Sequence, residues 1–208
     1  MVLTIDIGNT TIGIGGFQGN KLLFIEKISS RRPLSDAGYI EKLNMILNKH
    51  GLSAEAFEGS MISSVVPSVT AVFSSALETI LGRKPLILSH KLDLGYEICT
   101  DFPEKVGCDR LADIAGAISR YSLPFVTIDL GTATTFNVLD ENRRFLGGLI
   151  LPGVGTAHRA LLGKTAQLPK GDIHMPAHTI GANTQECITG GMLLGNACAI
   201  DGLIRRIQ

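Results

Sequence analysis

The chain has 208 residues, 45% of them hydrophobic, enough to bury a core as one large domain or two small ones, which excludes disorder. Lys+Arg and Asp+Glu both count 19, and the chain has no Trp and 5% aromatics; no global field gathers phosphate backbones or anionic lipid, and no stacking surface for sugars or single strands is expected. Neither nucleic acid nor a membrane is therefore expected as a partner.

Val2 to Ile7 is short, apolar and β-branched, and Gly8-Asn9-Thr10-Thr11 separates it from a second strand-like run, Ile12 to Phe17. A turn at Gln18-Gly19-Asn20 leads to a third, Leu22 to Ile28, so the chain opens as a β-meander. From Ser35 the spacing of Ile40, Leu43, Ile46 and Leu47 predicts a helix stopped by Gly51. A buried strand over Met61 to Val66, a helix over Ser68 to Leu81 ended by Gly82, and a short strand at Pro85 to Leu88 complete the order βββαβαβ. A helix follows from about Asp109 to Tyr121, then strands at Phe125 to Leu130, Thr135 to Leu139 and Phe145 to Leu151, a helical run around Ala160 and a helix from about Thr184 to Ile207.

The stretch Thr127-Ile128-Asp129-Leu130-Gly131-Thr132-Ala133-Thr134-Thr135 repeats Thr4-Ile5-Asp6-Ile7-Gly8-Asn9-Thr10-Thr11 at an offset of 123 residues, and again opens a meander. Two similar α/β half-domains are implied, 1–122 and 123–208. The second copy has only 82 residues, so a further segment of about 40 is expected beyond Gln208 by repeat accounting.

A strand ending in Asp, followed by Gly and Thr, sets a carboxylate beside a turn whose N–H groups and hydroxyls can surround a phosphate, and the carboxylate can hold a hard cation or its water shell. One such copy also describes an ordinary hairpin turn. Two copies in facing halves aim both turns into one cleft, as in actin-like and sugar-kinase-like phosphotransferases. In Gly107-Cys108-Asp109-Arg110-Leu111, Asp109 can serve as a helix cap with Arg110 as its surface partner, or it can accept a hydroxyl proton while Arg110 grips a substrate carboxylate.

Other signals lead nowhere. Gly163-Lys164-Thr165 is no P-loop, because His158 stands where its first Gly is required and a helical run precedes it. His174 and His178 are separated by Pro176 and lack a third ligand nearby. Cys99, Cys108, Cys187 and Cys198 form no CxxC pair, which fits a reduced cytoplasmic setting. No apolar stretch is expected to reach the roughly 18 to 20 residues of a membrane span.

The chain resembles the type III pantothenate kinases over essentially all its length. The resemblance is carried by Asp6 to Thr11, Gly107 to Leu111, Asp129 to Thr135, Gly147-Gly148 with Pro152-Gly153, Thr165-Ala166-Gln167-Leu168-Pro169, and Gly181-Ala182-Asn183-Thr184-Gln185-Glu186. It implies an actin-like (ribonuclease H-like) fold of two duplicated half-domains with mixed sheets, the second C-terminally short. It implies ATP phosphate contacts from Asp6, Ile7, Gly8, Asn9, Thr10, Thr11, Ile12 and Gly13, an ATP contact at Thr132, and pantothenate contacts from Gly107, Cys108, Asp109, Arg110 and Thr184. Asp109 would be the proton acceptor, Asp129 the ligand of a monovalent cation (K⁺ or NH₄⁺), and Asp6 would act on Mg²⁺ through water. A cytoplasmic homodimer with a shared active site is also implied. Cys108 stands where the family commonly has Ala and Thr11 where Asn is frequent. Two rivals stay open: another small-molecule kinase of the same fold, and a nucleotide-binding regulator that transfers nothing.

Overall fold

The computed structural model of the protein describes residues 1–164 and 171–208; the Thr165 to Pro169 match, and the Thr165 of the rejected P-loop, lie outside them. The first half runs β1 (Val2–Ile7), β2 (Thr11–Gln18), β3 (Lys21–Ser29), α1 (Asp36–Lys49), β4 (Gly59–Ser64), α2 (Pro67–Leu81) and β5 (Leu86–Ile87), the expected βββαβαβ order. After β6 (Glu97–Ile98) and α3 (Cys108–Ile118) come β7 (Phe125–Leu130), β8 (Ala133–Leu139), β9 (Arg144–Pro152), α4 (Val154–Gly163) and α5 (Thr184–Ile207).

The first sheet has the order β3-β2-β1-β4-β5, with β1 antiparallel to β2 and parallel to β4. The period of two sends Leu3, Ile5 and Ile7 of β1 to one face, where α1 and α2 cover them with Tyr39, Leu43, Phe73 and Leu77, all essentially inaccessible. Tyr39 and Phe73 meet with ring centroids 4.6 Å apart, and truncating such a ring costs about 3–5 kcal/mol. Thr4 and Asp6 are left for the opposite face.

Ser35 caps α1 by accepting from the Gly38 N–H at 3.2 Å. Gly82 ends α2 in the left-handed region at φ 69°, where a side chain would be strained. The second sheet has the order β6-β9-β8-β7, so β7-β8-β9 repeats the β1-β2-β3 meander, around a smaller core of Ile114, Leu139 and Phe145. Its edge strand β6 is drawn from residues ahead of 122 and pairs in parallel with β9, Glu97 opposite Arg144.

One expectation is corrected. Helix α5 spans 24 residues and contains an 18-residue window with a mean hydropathy of 1.4, long and apolar enough by length and composition to cross a membrane. Asn196 and Asp201 interrupt the apolar run, while Ile188, Leu193, Leu194, Ile200, Leu203 and Ile204 keep the window average high. A single such helix is weak evidence for a span.

Candidate active site

Both Asp-x-Gly turns stand at the ends of the first strands of their meanders, and both are closed by the N–H of their glycine, the second turn over one residue fewer. The Gly8 N–H donates to the Thr11 carbonyl at 3.0 Å, and the Gly131 N–H to the Ala133 carbonyl at 3.0 Å. Each turn is then tied to the end of its third strand: Ser30 N–H donates to the Thr10 carbonyl at 3.0 Å and Gly153 N–H to the Thr132 carbonyl at 3.1 Å. Thr156 at the start of α4 adds a hydroxyl bond to the Thr132 carbonyl at 2.7 Å. The two turns meet, because the Thr10 and Thr132 hydroxyls lie 3.2 Å apart.

Gly153 has a steric reason to be glycine: a Cβ there would run into the Gly131 and Thr132 carbonyl oxygens. Its role is to let the end of β9 touch the second turn.

The substrate motif lies beside the first turn. Gly107 is the N-cap of α3, so Asp109 falls in the first turn of the helix instead of capping it. A Cβ at Gly107 would meet the Asp109 carboxylate, and Val65 just after β4 packs against the same spot. The Cys108 thiol donates to the Leu88 carbonyl at 3.1 Å, fixing the motif to the end of β5; burial pushes that thiol above its usual range. Asp109 Oδ1 accepts from the Arg110 N–H at 2.8 Å, while Oδ2 makes no hydrogen bond among the described residues.

Arg110 turns toward the second sheet. Its Nε donates to Asn137 Oδ1 at 2.6 Å, Nη2 reaches the Phe136 carbonyl at 3.4 Å, and the guanidinium lies 5.3 Å from the Phe145 ring centroid. Asn137, fully buried, passes the chain on by donating to Thr127 Oγ1 at 3.0 Å. Arg110 is thus committed in large part to joining α3 to β8. Burial lowers its pKa, which the carboxylates of Asp109 and Asp113 partly offset.

The carboxylates feel one another. Asp6 keeps solvent access, yet the cleft walls desolvate it and raise its pKa; the Ser63 hydroxyl opposes this, the Asp109 and Asp129 charges reinforce it, and Lys27 opposes it. Asp113 is a fourth carboxylate that the sequence reading missed. Burial first, then Asp129, Asp109 and Asp6, push it up to about 6, against a weaker pull from Arg110. It stands four residues after Asp109 on α3, a spacing that puts both on one helix face and was the signal for it. Asp113 and Asp129 share the lining of a cavity of about 340 Å³ with Thr127, Arg120 and Tyr121.

The donor set fits a hard cation carried with phosphates. It is all oxygen, and no three acidic, His or Cys side chains form a cage among the described residues. Mg²⁺ is commonly held that way, by one or two carboxylates plus substrate phosphates and water. The Thr134 hydroxyl, buried beside the second turn, has no hydrogen-bond partner among the described residues. Thr184 opens α5 on the surface, after Asn183 caps the helix through the Glu186 N–H at 3.0 Å; it makes no hydrogen bond to the other site residues among those described.

Paired strand-end carboxylates on duplicated turns, with a third carboxylate on the helix beside them, fit the phosphotransferases, which work by positioning and by charge neutralisation through metal-bound phosphates. Residues 2–206 match the family profile described as type III pantothenate kinase. A type III pantothenate kinase of Thermomicrobium roseum is 36% identical over 208 residues, 100% of this chain and 80% of that relative. One from Dictyoglomus turgidum is 36% identical over 206 residues, 99% of this chain and 80% of the relative. Among solved structures, a protein described as a conserved Baf family transcriptional activator from Campylobacter jejuni superposes with a TM-score of 0.56 at 17% identity, over 96% of this chain and 78% of that one, a likeness of fold alone. The chain belongs to the type III pantothenate kinase family, ATP-dependent and divalent-metal-dependent kinases at the entry to coenzyme A biosynthesis.

Proposed function

We propose that the cleft transfers the γ-phosphoryl group of ATP to the primary hydroxyl of pantothenate, giving 4′-phosphopantothenate, with Asp109 as the proton acceptor. The supporting observation is that Asp109 stands in the first turn of α3, close enough to Asp6 for their charges to interact, and that Asp129 of the second turn acts on the same Asp6 carboxylate. Asp109 Oδ1 is held by the Arg110 N–H and Oδ2 is left to take the hydroxyl proton. Asp6 to Gly13 and Thr132 would contact the phosphates, with Gly107, Cys108, Arg110 and Thr184 on the pantothenate side. Mg²⁺ carried with ATP neutralises charge on the phosphates; Asp6 would hold it through water, and Asp129 would hold a monovalent cation, K⁺ or NH₄⁺.

The halves 1–122 and 123–208 each bring one turn to this reaction. The surface position of Thr184 fits a homodimer in which it serves the neighbouring subunit's site. Four free cysteines fit a cytoplasmic enzyme. A coupled ADP-release assay with pantothenate and several other primary alcohols tests the reading. Turnover confined to pantothenate supports it, and turnover with another alcohol in its place overturns it.

A further inference from the structure

The register of the first sheet lines up three residues across three strands. Asp6 of β1 stands opposite Gly13 of β2, and Gly13 stands opposite Lys27 of β3. Residues directly opposite point to the same face of a sheet, so Asp6 and Lys27 share the face turned away from the helices. Two strand spacings put their backbones roughly 9 to 10 Å apart. Gly13, having no side chain, leaves the space between them open.

Lys27 also borders a hollow of about 480 Å³ together with Thr10, Thr11, Ser29 and Arg31. It therefore borders the first turn. The side chain is exposed and makes no ion pair among the described residues. Its field reaches Asp6, whose carboxyl it favours in the charged form. Of the other basic groups near the cleft, Arg31 lines the same hollow but lies beyond the end of β3, Arg120 lines the cavity of Asp113 and Asp129, and Arg110 is engaged with Asn137 and the Phe136 carbonyl.

We infer that Lys27 is a phosphate-binding residue, reaching over Gly13 to a phosphate oxygen of the nucleotide held in the first turn. The inference rests on the reading that Asp6 to Gly13 hold the ATP phosphates. A compact ammonium with three donors suits this task, since a charge-assisted hydrogen bond to phosphate is stronger than a neutral one.

The test compares Lys27→Met, Lys27→Arg, Thr10→Glu and, as a control at the far end of the same strand, Lys21→Met. Binding of ATP and of adenosine is titrated, and kcat and KM are measured for both substrates. The expected result for Lys27→Met is a loss of ATP affinity of roughly ten- to a hundred-fold, with adenosine affinity, pantothenate KM and melting temperature held. Lys27→Arg recovers most of the loss and Lys21→Met changes nothing. Thr10→Glu, which sets a negative charge in the turn, abolishes ATP binding. Normal ATP binding by Lys27→Met while Thr10→Glu fails to bind overturns the role of Lys27 and leaves the turn reading standing. Normal binding by both variants overturns the turn reading itself. Equal impairment of the Met and Arg variants for ATP and adenosine alike makes Lys27 structural and overturns the inference.

Discussion

The Thr10 hydroxyl lies 3.2 Å from the Thr132 hydroxyl, a contact that spans 122 residues of sequence and joins the two Asp-x-Gly turns. It is exposed, so water competes for both groups and the bond itself stabilises little. Its meaning is geometric: the duplicated turns converge on a common point, as a nucleotide gripped from both sides requires.

Replacing Asp109 by Asn keeps the size of the side chain and an acceptor for the Arg110 N–H but removes the proton acceptor. We expect kcat to fall by about 10² to 10⁴, with ATP affinity within a factor of about two. Steady-state kinetics with an ATP titration checks this, and near-normal turnover would leave Asp109 a helix-terminal residue only.

Asp129→Ala removes the strand-end carboxylate of the second turn, which is the proposed holder of a monovalent cation. Activity should then lose its dependence on K⁺ or NH₄⁺, and ATP should bind more weakly. The comparison is made in K⁺ and Na⁺ buffers of equal ionic strength; equal wild-type rates in the two rule the cation out.

Asp113 offers a pH signature of the carboxylate cluster. Its pKa in the folded state, about 6, lies above the ordinary value of 3.8, so the folded state holds this proton more tightly than the unfolded one. The resulting stability is full below pH 3.8 and is lost as pH rises through 6. Asp113→Asn should therefore be more stable than wild type at pH 8, on the order of 1 kcal/mol after discounting for partial solvation, and the gain should vanish towards pH 4. Urea melts in EDTA without K⁺ measure it; a difference that does not vary with pH rejects the raised pKa.

Gly13→Ala separates function from stability. A Cβ at Gly13 meets only the Asp6 Cβ, at 3.8 Å, an ordinary contact, so the sheet should accept it with little change in melting temperature. The added methyl fills part of the opening between Asp6 and Lys27, and ATP affinity should drop several-fold. Gly153→Ala should behave otherwise, losing both affinity and stability, because its Cβ runs into the Gly131 and Thr132 carbonyls.

Much of this was legible from residue order because duplication marks it. Phe125 to Leu130 and Thr184 to Ile207 have the boundaries that hydrophobic patterning assigns, and Asp6 and Asp129 stand out as copies of one another. Where boundaries moved, a longer-range pairing decided. β4 runs over Gly59–Ser64, two residues earlier than the β-branched Val65 and Val66 imply, because its parallel register begins with Val2 opposite Gly59. α3 stops at Ile118, short of Tyr121, and β6 is only two residues long, made a strand by a partner nearly fifty positions ahead. Asp113 could have been found from its four-residue spacing to Asp109. Lys27 could not, since its place opposite Gly13 exists only once the strands are in register.

That borrowed edge strand binds the two halves into one cooperative unit. Expressing residues 1–122 and 123–208 as separate chains would take Glu97 and Ile98 from the β9 backbone they pair with, and Arg110 from Asn137. Neither fragment would then retain its full complement of ladder and core contacts, so heat or urea should melt the chain in one transition, with the two meanders losing structure together.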